Sequence, residues 1–261
     1  MLQRTRIAVA RPQDWQGVRI FGYHRVTEED DVYAVSPAVF RAHMECMLAA
    51  GVRPVSLAEA LDLLRSPVDG RYACVTFDDG YLDNLELALP ILEELRIPAT
   101  IFVISDVLDG LAGYYWHPSP PPALHWEHVP RVLESGTVDL QSHSRTHPAL
   151  TTLDAAALED EVAGAKRRLE EKLSYPVTWF SYPAGLYSSR EARFVVAAGY
   201  AAAVTTLPGV NTHLTERAEL RRTMIYWRDS LADFRAKLDG ALDRPIPLAR
   251  SLQGLRVRRG G

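Results

Sequence analysis

The stretch Ala73-Cys74-Val75-Thr76-Phe77-Asp78-Asp79-Gly80 is an apolar run that stops abruptly at two carboxylates and a glycine. A short apolar run bounded by polar residues is the pattern of a strand buried on both faces, as in a parallel sheet covered by helices. Working outward, strand-like runs are expected at 18–24, 99–104, 137–141, 177–182 and 201–205. Helical patterns are expected between them. Ser36 and Pro37 supply an N-cap and first-turn proline for a helix with Phe40, Met44, Met47 and Leu48 as its apolar stripe, ended by Gly51. Further helices are expected at 57–64, at 85–95 with Pro90 a kink, at 126–134, at 154–173, at 191–198 closed by Gly199, and at 231–242. This alternation predicts an α/β fold with a parallel sheet or barrel, in a single domain.

The organisation expected along the 261 residues is an N-terminal extension at 1–17, a catalytic domain at 18–243 and a basic, proline-interrupted tail at 244–261. Between 106 and 124 the periodicity dissolves into glycines, prolines and aromatics. This reads as a long loop whose Tyr114, Tyr115 and Trp116 offer a surface for stacking on sugar rings. A net charge of −4 provides no basic field for a nucleic-acid backbone. No apolar run of about 20 residues suggests a membrane span. No apolar stretch of signal-peptide length precedes the first strand, which makes the cytoplasm the expected compartment. Cys46 and Cys74 read as free thiols packed in the core.

Four constellations carry chemistry. Asp78 and Asp79 stand at the C-terminal end of a strand, where α/β barrels place active sites, and adjacent carboxylates there can divide metal binding from proton transfer. Asp-Asp-Gly is also ordinary turn chemistry. His143 and His147, in Ser142-His143-Ser144-Arg145-Thr146-His147, share one face if the segment forms a helical turn. With Asp79 they make a two-histidine, one-carboxylate set with positions left for water and substrate. Trp179-Phe180-Ser181-Tyr182-Pro183-Ala184-Gly185 is a strand running into a turn that can present backbone N–H groups to a substrate oxygen. His24 ends the first strand and, alone, reads as a structural histidine.

The order Thr76-Phe77-Asp78-Asp79-Gly80, then His143-Ser144-x-Thr146-His147, then Phe180-x-Tyr182-Pro183-x-Gly185 resembles the polysaccharide deacetylases, carbohydrate esterase family four. The similarity extends from about residue 21 to 225. The resemblance implies a distorted (β/α)₇ barrel and hydrolysis of acetyl groups on sugars. It implies Asp78 as catalytic base, Asp79, His143 and His147 as metal ligands, and the backbone N–H of Ala184 as an oxyanion donor. The family's arginine in the third motif is replaced by Ser181, and no late histidine motif is evident. This resembles the branch with rearranged motif order, which implies His24 as the acid that protonates the leaving amine, with His213 as a rival. Arg222 is expected either to orient Asp78 or to be a surface arginine.

The expected function is therefore metal-dependent removal of acetyl groups from N-acetylated sugars of a polysaccharide, oligosaccharide or glycoconjugate. The expected cofactor is one divalent ion, Zn²⁺ before Co²⁺ or Ni²⁺. Hydrolysis of a non-sugar amide or cyclic ureide on the same fold, and non-catalytic glycan binding, are the alternatives. The expected partner is the acetylated sugar, with no nucleic acid, no membrane span and no implied oligomeric state.

Overall fold

The structure is a computed structural model that describes residues 15–241 and 243. Most of the expected extension and all of the basic tail lie outside the described residues. Seven parallel strands form the sheet: β1 (Gly17–Tyr23), β2 (Arg71–Phe77), β3 (Ala99–Val103), β4 (Val138–Ser142), β5 (Trp179–Ser181), β6 (Ala202–Val204) and β7 (Thr223–Met224). Their order is β7-β1-β2-β3-β4-β5-β6, and a two-residue strand, Arg53–Pro54, pairs with the far side of β2. Leu220 bridges Val204 of β6, while Thr223 and Met224 pair with Phe21 and Gly22 of β1. The segment 220–224 thus spans both sheet ends, and the sheet curls into the distorted barrel. No helix among the described residues is long and apolar enough to cross a membrane.

Side-chain alternation along the strands sorts the residues into two layers. Val18, Ile20, Cys74, Phe102, Trp179, Ala202 and Val204 share one buried cluster with Leu57 and Ala60 of the Leu57–Leu63 helix and Leu64 at its C-cap. This is the barrel interior. Phe21, Tyr23, Val75, Phe77, Ile101 and Leu140 face the other way, into a larger core with Phe40, Met44 and Met47 of the Pro37–Ala49 helix. That helix begins as the sequence suggests, with Ser36 Oγ accepting from the backbone N–H of Val39. The interior rows continue upward in steps of two to Gly22 and His24, Thr76 and Asp78, Gln141 and His143, and Ser181. The polar site therefore crowns an apolar plug at the C-terminal ends of the strands.

Two expected helices are not regular. The 85–95 segment is a π-helical turn, Asn84–Ala88, followed by the α-helix Leu89–Leu95 with Pro90 in its first turn. A proline is tolerated there because its missing N–H has no intrahelical partner to lose. The 154–173 segment starts on an Asp154 N-cap but carries a π-turn, Asp160–Gly164, between Ala155–Glu159 and Ala165–Leu173. Strands β5 and β6 are shorter than expected, and the last helix ends at Leu238. Cys46 is half-buried and Cys74 buried, both free.

Candidate metal centre and active site

A cavity of roughly 320 Å³ opens at the crown and is lined by His24, Asp78, Asp79, His143, His147 and Ala184, with Tyr33, Tyr115, Trp116 and Tyr226 among its walls. Backbone conformation gathers these residues. In a continuing strand Asp79 would point away from Asp78, but its φ of 73°, followed by Gly80 at 76°, turns the chain so that both carboxylates face the cavity. His147 is brought back over the site in a similar way, with φ of 63° at Ser144 and 65° at His147. The segment 143–147 does not form the helical turn that would put both histidines on one face; they converge through left-handed loop residues instead. That loop is pinned by buried Glu161, whose carboxylate accepts from the N–H groups of Arg145 and Thr146 at 3.0 and 2.9 Å and from the Thr146 hydroxyl at 2.6 Å.

Asp79, His143 and His147 each direct one ligand atom to a common point, all within 4.8 Å of one another. Asp79 Oδ1 lies 3.4 Å from His143 Nε2 and 3.6 Å from His147 Nε2. It is buried and has no hydrogen-bond partner. The Nδ1–H of His143 donates to the Ser181 carbonyl at 2.8 Å, which leaves Nε2 as a lone pair aimed at Asp79. An orphaned carboxylate oxygen facing two imidazole nitrogens fits a divalent cation. Burial, together with repulsion from Asp78, pushes the Asp79 carboxyl well above the usual carboxylate range. Burial likewise pushes His147 down to about 3 and lowers His143. Both histidines are thus kept neutral, as ligation requires.

Asp78 is buried beside them and carries the opposite bias. Burial works against its charge, but the Arg222 guanidinium more than offsets this and holds the carboxyl far below its ordinary value. Arg222 NH1 and NH2 each donate to one Asp78 oxygen at 2.7 Å. Arg222 is fully buried, so the surface-arginine expectation fails. Its approach depends on Gly22, where a Cβ would sit 2.5 Å from Met224 Sδ and 3.2 Å from Arg222 Cδ. Ser181 joins the pair, donating to Asp78 Oδ1 at 3.2 Å and accepting from Arg222 NH2 at 2.9 Å. The small Ser181 side chain thus leaves room beside Asp78 for a guanidinium delivered from the edge of β7.

His24 lines the same cavity, and burial pushes its pKa down to about 4. Its carbonyl accepts from Asn84 Nδ2 at 2.7 Å. His213 is exposed and does not line the cavity, so the structure does not bring that rival to the site. Ala184 stands at φ 52°, ψ 14°, a left-handed conformation unusual for a residue with a Cβ. Gly185 behind it has φ of 67°, and a Cβ there would meet Thr206 Oγ1 at 2.1 Å. The expectation of three loop aromatics on the surface needs correction. Tyr114 is buried against Tyr81, Trp116 is half-buried against His147, and only Tyr115 is largely exposed. Sequence reading missed Asn84 and Glu161. Both come from the π-turns, whose extra residue redirects a side chain that a 3.6-residue period does not predict.

A family model described as polysaccharide deacetylase matches residues 65–203. YxkH of Bacillus subtilis (strain 168), which bears the polysaccharide deacetylase name, is 29% identical over 192 residues, covering 73% of this chain. The chain spans 64% of that relative's length. Among solved structures, IcaB from Ammonifex degensii superposes with a TM-score of 0.73 at 25% identity, over 86% of this chain and 98% of that one. The Streptococcus pyogenes deacetylase PplD shares the fold, with a TM-score of 0.72 at 20% identity, over 85% and 98%. With half of the chain matched by the family model and the barrel shared with its solved members, this chain belongs to the polysaccharide deacetylase family.

Proposed function

We propose that the chain hydrolyses the acetamide of N-acetylated sugars in a polysaccharide, oligosaccharide or glycoconjugate, releasing acetate and leaving an amine. The observation that carries this reading is the unpartnered Asp79 Oδ1 facing His143 Nε2 and His147 Nε2, with Asp78 beside it in the same cavity and paired from behind by buried Arg222. Asp79, His143 and His147 would hold the ion, for which Zn²⁺ suits the donor set, with Co²⁺ or Ni²⁺ as alternatives. When bound, such an ion supplies Lewis acidity to the acetyl carbonyl and acidifies water at neutral pH.

Asp78 is the proton acceptor. Arg222 keeps it ionised and points both of its oxygens along one plane, so its own proton does not block it at working pH. The Ala184 N–H, presented by the left-handed turn, is the donor for the oxygen that gains charge as the acetyl carbon becomes tetrahedral. His24 lines the same cavity and, uncharged at rest because burial pushes its pKa down to about 4, passes to the departing amine the proton that Asp78 takes from water. The walls Tyr33, Tyr115 and Tyr226 suit the apolar faces of sugar rings, which favours a sugar over a cyclic ureide. No base or ligand of the proposed set is missing from the site, which weighs against the binder reading.

The test is acetate release from N-acetylglucosamine oligomers and small N-acetylhexosamine conjugates, using metal-stripped protein with and without Zn²⁺ or Co²⁺. Release restored by metal and abolished in Asp79→Ala supports the reading. Silence across the panel from protein that binds metal would reject it in favour of a non-sugar amide.

A further inference from the structure

Of four consecutive ring side chains, Tyr114, Tyr115 and Trp116 contact residues assigned to the metal, and His117 is linked to them through Tyr81. The buried Tyr114 hydroxyl donates to the Gly80 carbonyl at 3.0 Å and lies 3.4 Å from that of Asp79. The Tyr115 hydroxyl donates to the His147 carbonyl at 2.9 Å, although Tyr115 is 72% exposed. The Trp116 ring rests on the His147 imidazole, centroids 4.4 Å apart. Its indole N–H donates to the Tyr81 hydroxyl at 3.3 Å, and that hydroxyl is also 2.9 Å from His117 Nε2. His117 in turn faces Asp31, which is ion-paired to Arg25.

These contacts are directed at the two assigned ligands that are strained. Asp79 and His147 both have positive φ, a conformation costing about 1–3 kcal/mol that persists only where the surroundings over-determine it. His143, which has no such strain, is held from β5 instead through Ser181. An exposed tyrosine that spends its hydroxyl on a ligand's carbonyl is not there to fill a core.

We propose that Tyr114–His117 is a positioning strap that holds Asp79 and His147 in the left-handed conformations in which their side chains converge, and so sets the affinity for the metal. The strap rests on the assignment of Asp79, His143 and His147 as the ligands. None of its four residues takes part in the chemistry; their effect on the metal runs through the ligands, separately from the contact that Tyr115 offers a sugar ring.

The test titrates the full chain with Zn²⁺ in competition with a chromogenic chelator and follows thermal unfolding of the metal-free protein in parallel. Loss of such supporting contacts typically weakens metal binding about 10–100-fold. Trp116→Leu is expected to weaken Zn²⁺ binding by that factor, and Trp116→Phe, which keeps a ring on His147, to recover part of it. Tyr115→Phe, at an exposed position, is expected to weaken binding several-fold while leaving the metal-free unfolding temperature near that of the parent. Tyr115→Phe and Trp116→Leu proteins that bind Zn²⁺ within about twofold of the parent would overturn the strap, while loss of binding in Asp79→Ala would leave the ligand assignment standing. A parent chain that binds no Zn²⁺ would overturn the assignment and the strap together.

Discussion

Replacing Arg222 with methionine removes one partner of a fully buried ion pair while roughly keeping its volume. Asp78 stays buried, with neither of its two 2.7 Å guanidinium bonds, and the Ser181 hydroxyl and the Thr205 carbonyl each lose a donor. Breaking one side of such a pair costs about 3–5 kcal/mol, because the remaining charge is stranded away from water. For a chain of this size each kcal/mol moves the unfolding temperature by about 2–4 °C, so Arg222→Met should unfold about 6–20 °C lower. The second variant separates charge from packing. Asp78→Asn on the same background removes the stranded charge, and Arg222→Met/Asp78→Asn should regain at least half of the lost stability. A thermodynamic cycle of parent, two singles and double, measured by calorimetry on metal-stripped protein at pH 7, gives the coupling. A single-variant cost below about 1 kcal/mol, or strictly additive effects, would refute the claim that Arg222 exists to carry the Asp78 charge. Activity supplies an independent sign. Without Arg222, burial dominates and the Asp78 carboxyl rises, so the acid limb of acetate release should move to higher pH in Arg222→Met.

Four further outcomes follow from the same geometry. His24→Gln should lower kcat for acetate release by about 10²–10⁴-fold with little change in metal content, whereas His213→Gln, at an exposed position, should leave kcat alone. Saturating Zn²⁺ at about a hundred times its Kd should stabilise the parent by about 2.7 kcal/mol, read as a rise in unfolding temperature that EDTA reverses and that Asp79→Ala lacks. Gly185→Ala places a Cβ 2.1 Å from Thr206 Oγ1 at a φ of 67°; it should cost about 2–4 kcal/mol by denaturant titration, and a cost near zero would mean that the turn carrying Ala184 is not braced there. His43, stacked on Phe234 with centroids 4.4 Å apart, is pushed by burial from 6.5 down to about 4. Its folded value lies below its unfolded one, so its contribution is complete above about pH 6.5 and is lost as pH falls through 4. This amounts to about 3 kcal/mol, and His43→Phe should flatten that part of the stability profile.

The sequence makes legible whatever rests on local periodicity or adjacency. The apolar run ending in Asp78-Asp79, the Ser36-Pro37 helix start and the pairing of two histidines with one carboxylate all belong to that class. Contacts that depend on closure of the barrel are not legible. Arg222 and Asp78 are 144 residues apart, and only the curl of the sheet sets the edge of β7 beside β1 and Gly22, so the chain alone leaves Arg222 equally readable as a surface residue. Glu161 and Asn84 look like ordinary helix positions until a π-turn swings each toward a site loop.

The histidine loop brings together the pair that a helical turn would also have placed on one face, but by a different route. A spacing of four brings two side chains together on a helix, but Ser144 and His147 achieve it through positive φ, a conformation that sequence reading assigns to glycine or asparagine. Residues that lack that freedom hold it only under external constraint, and here Glu161 grips one side of the loop while the aromatic segment grips the other. Convergence of the two histidines on Asp79 is therefore a property of the tertiary structure rather than of the motif. The same His-x-x-x-His spacing on a loop without those two grips should relax out of the left-handed region and lose the metal, even with every ligand present.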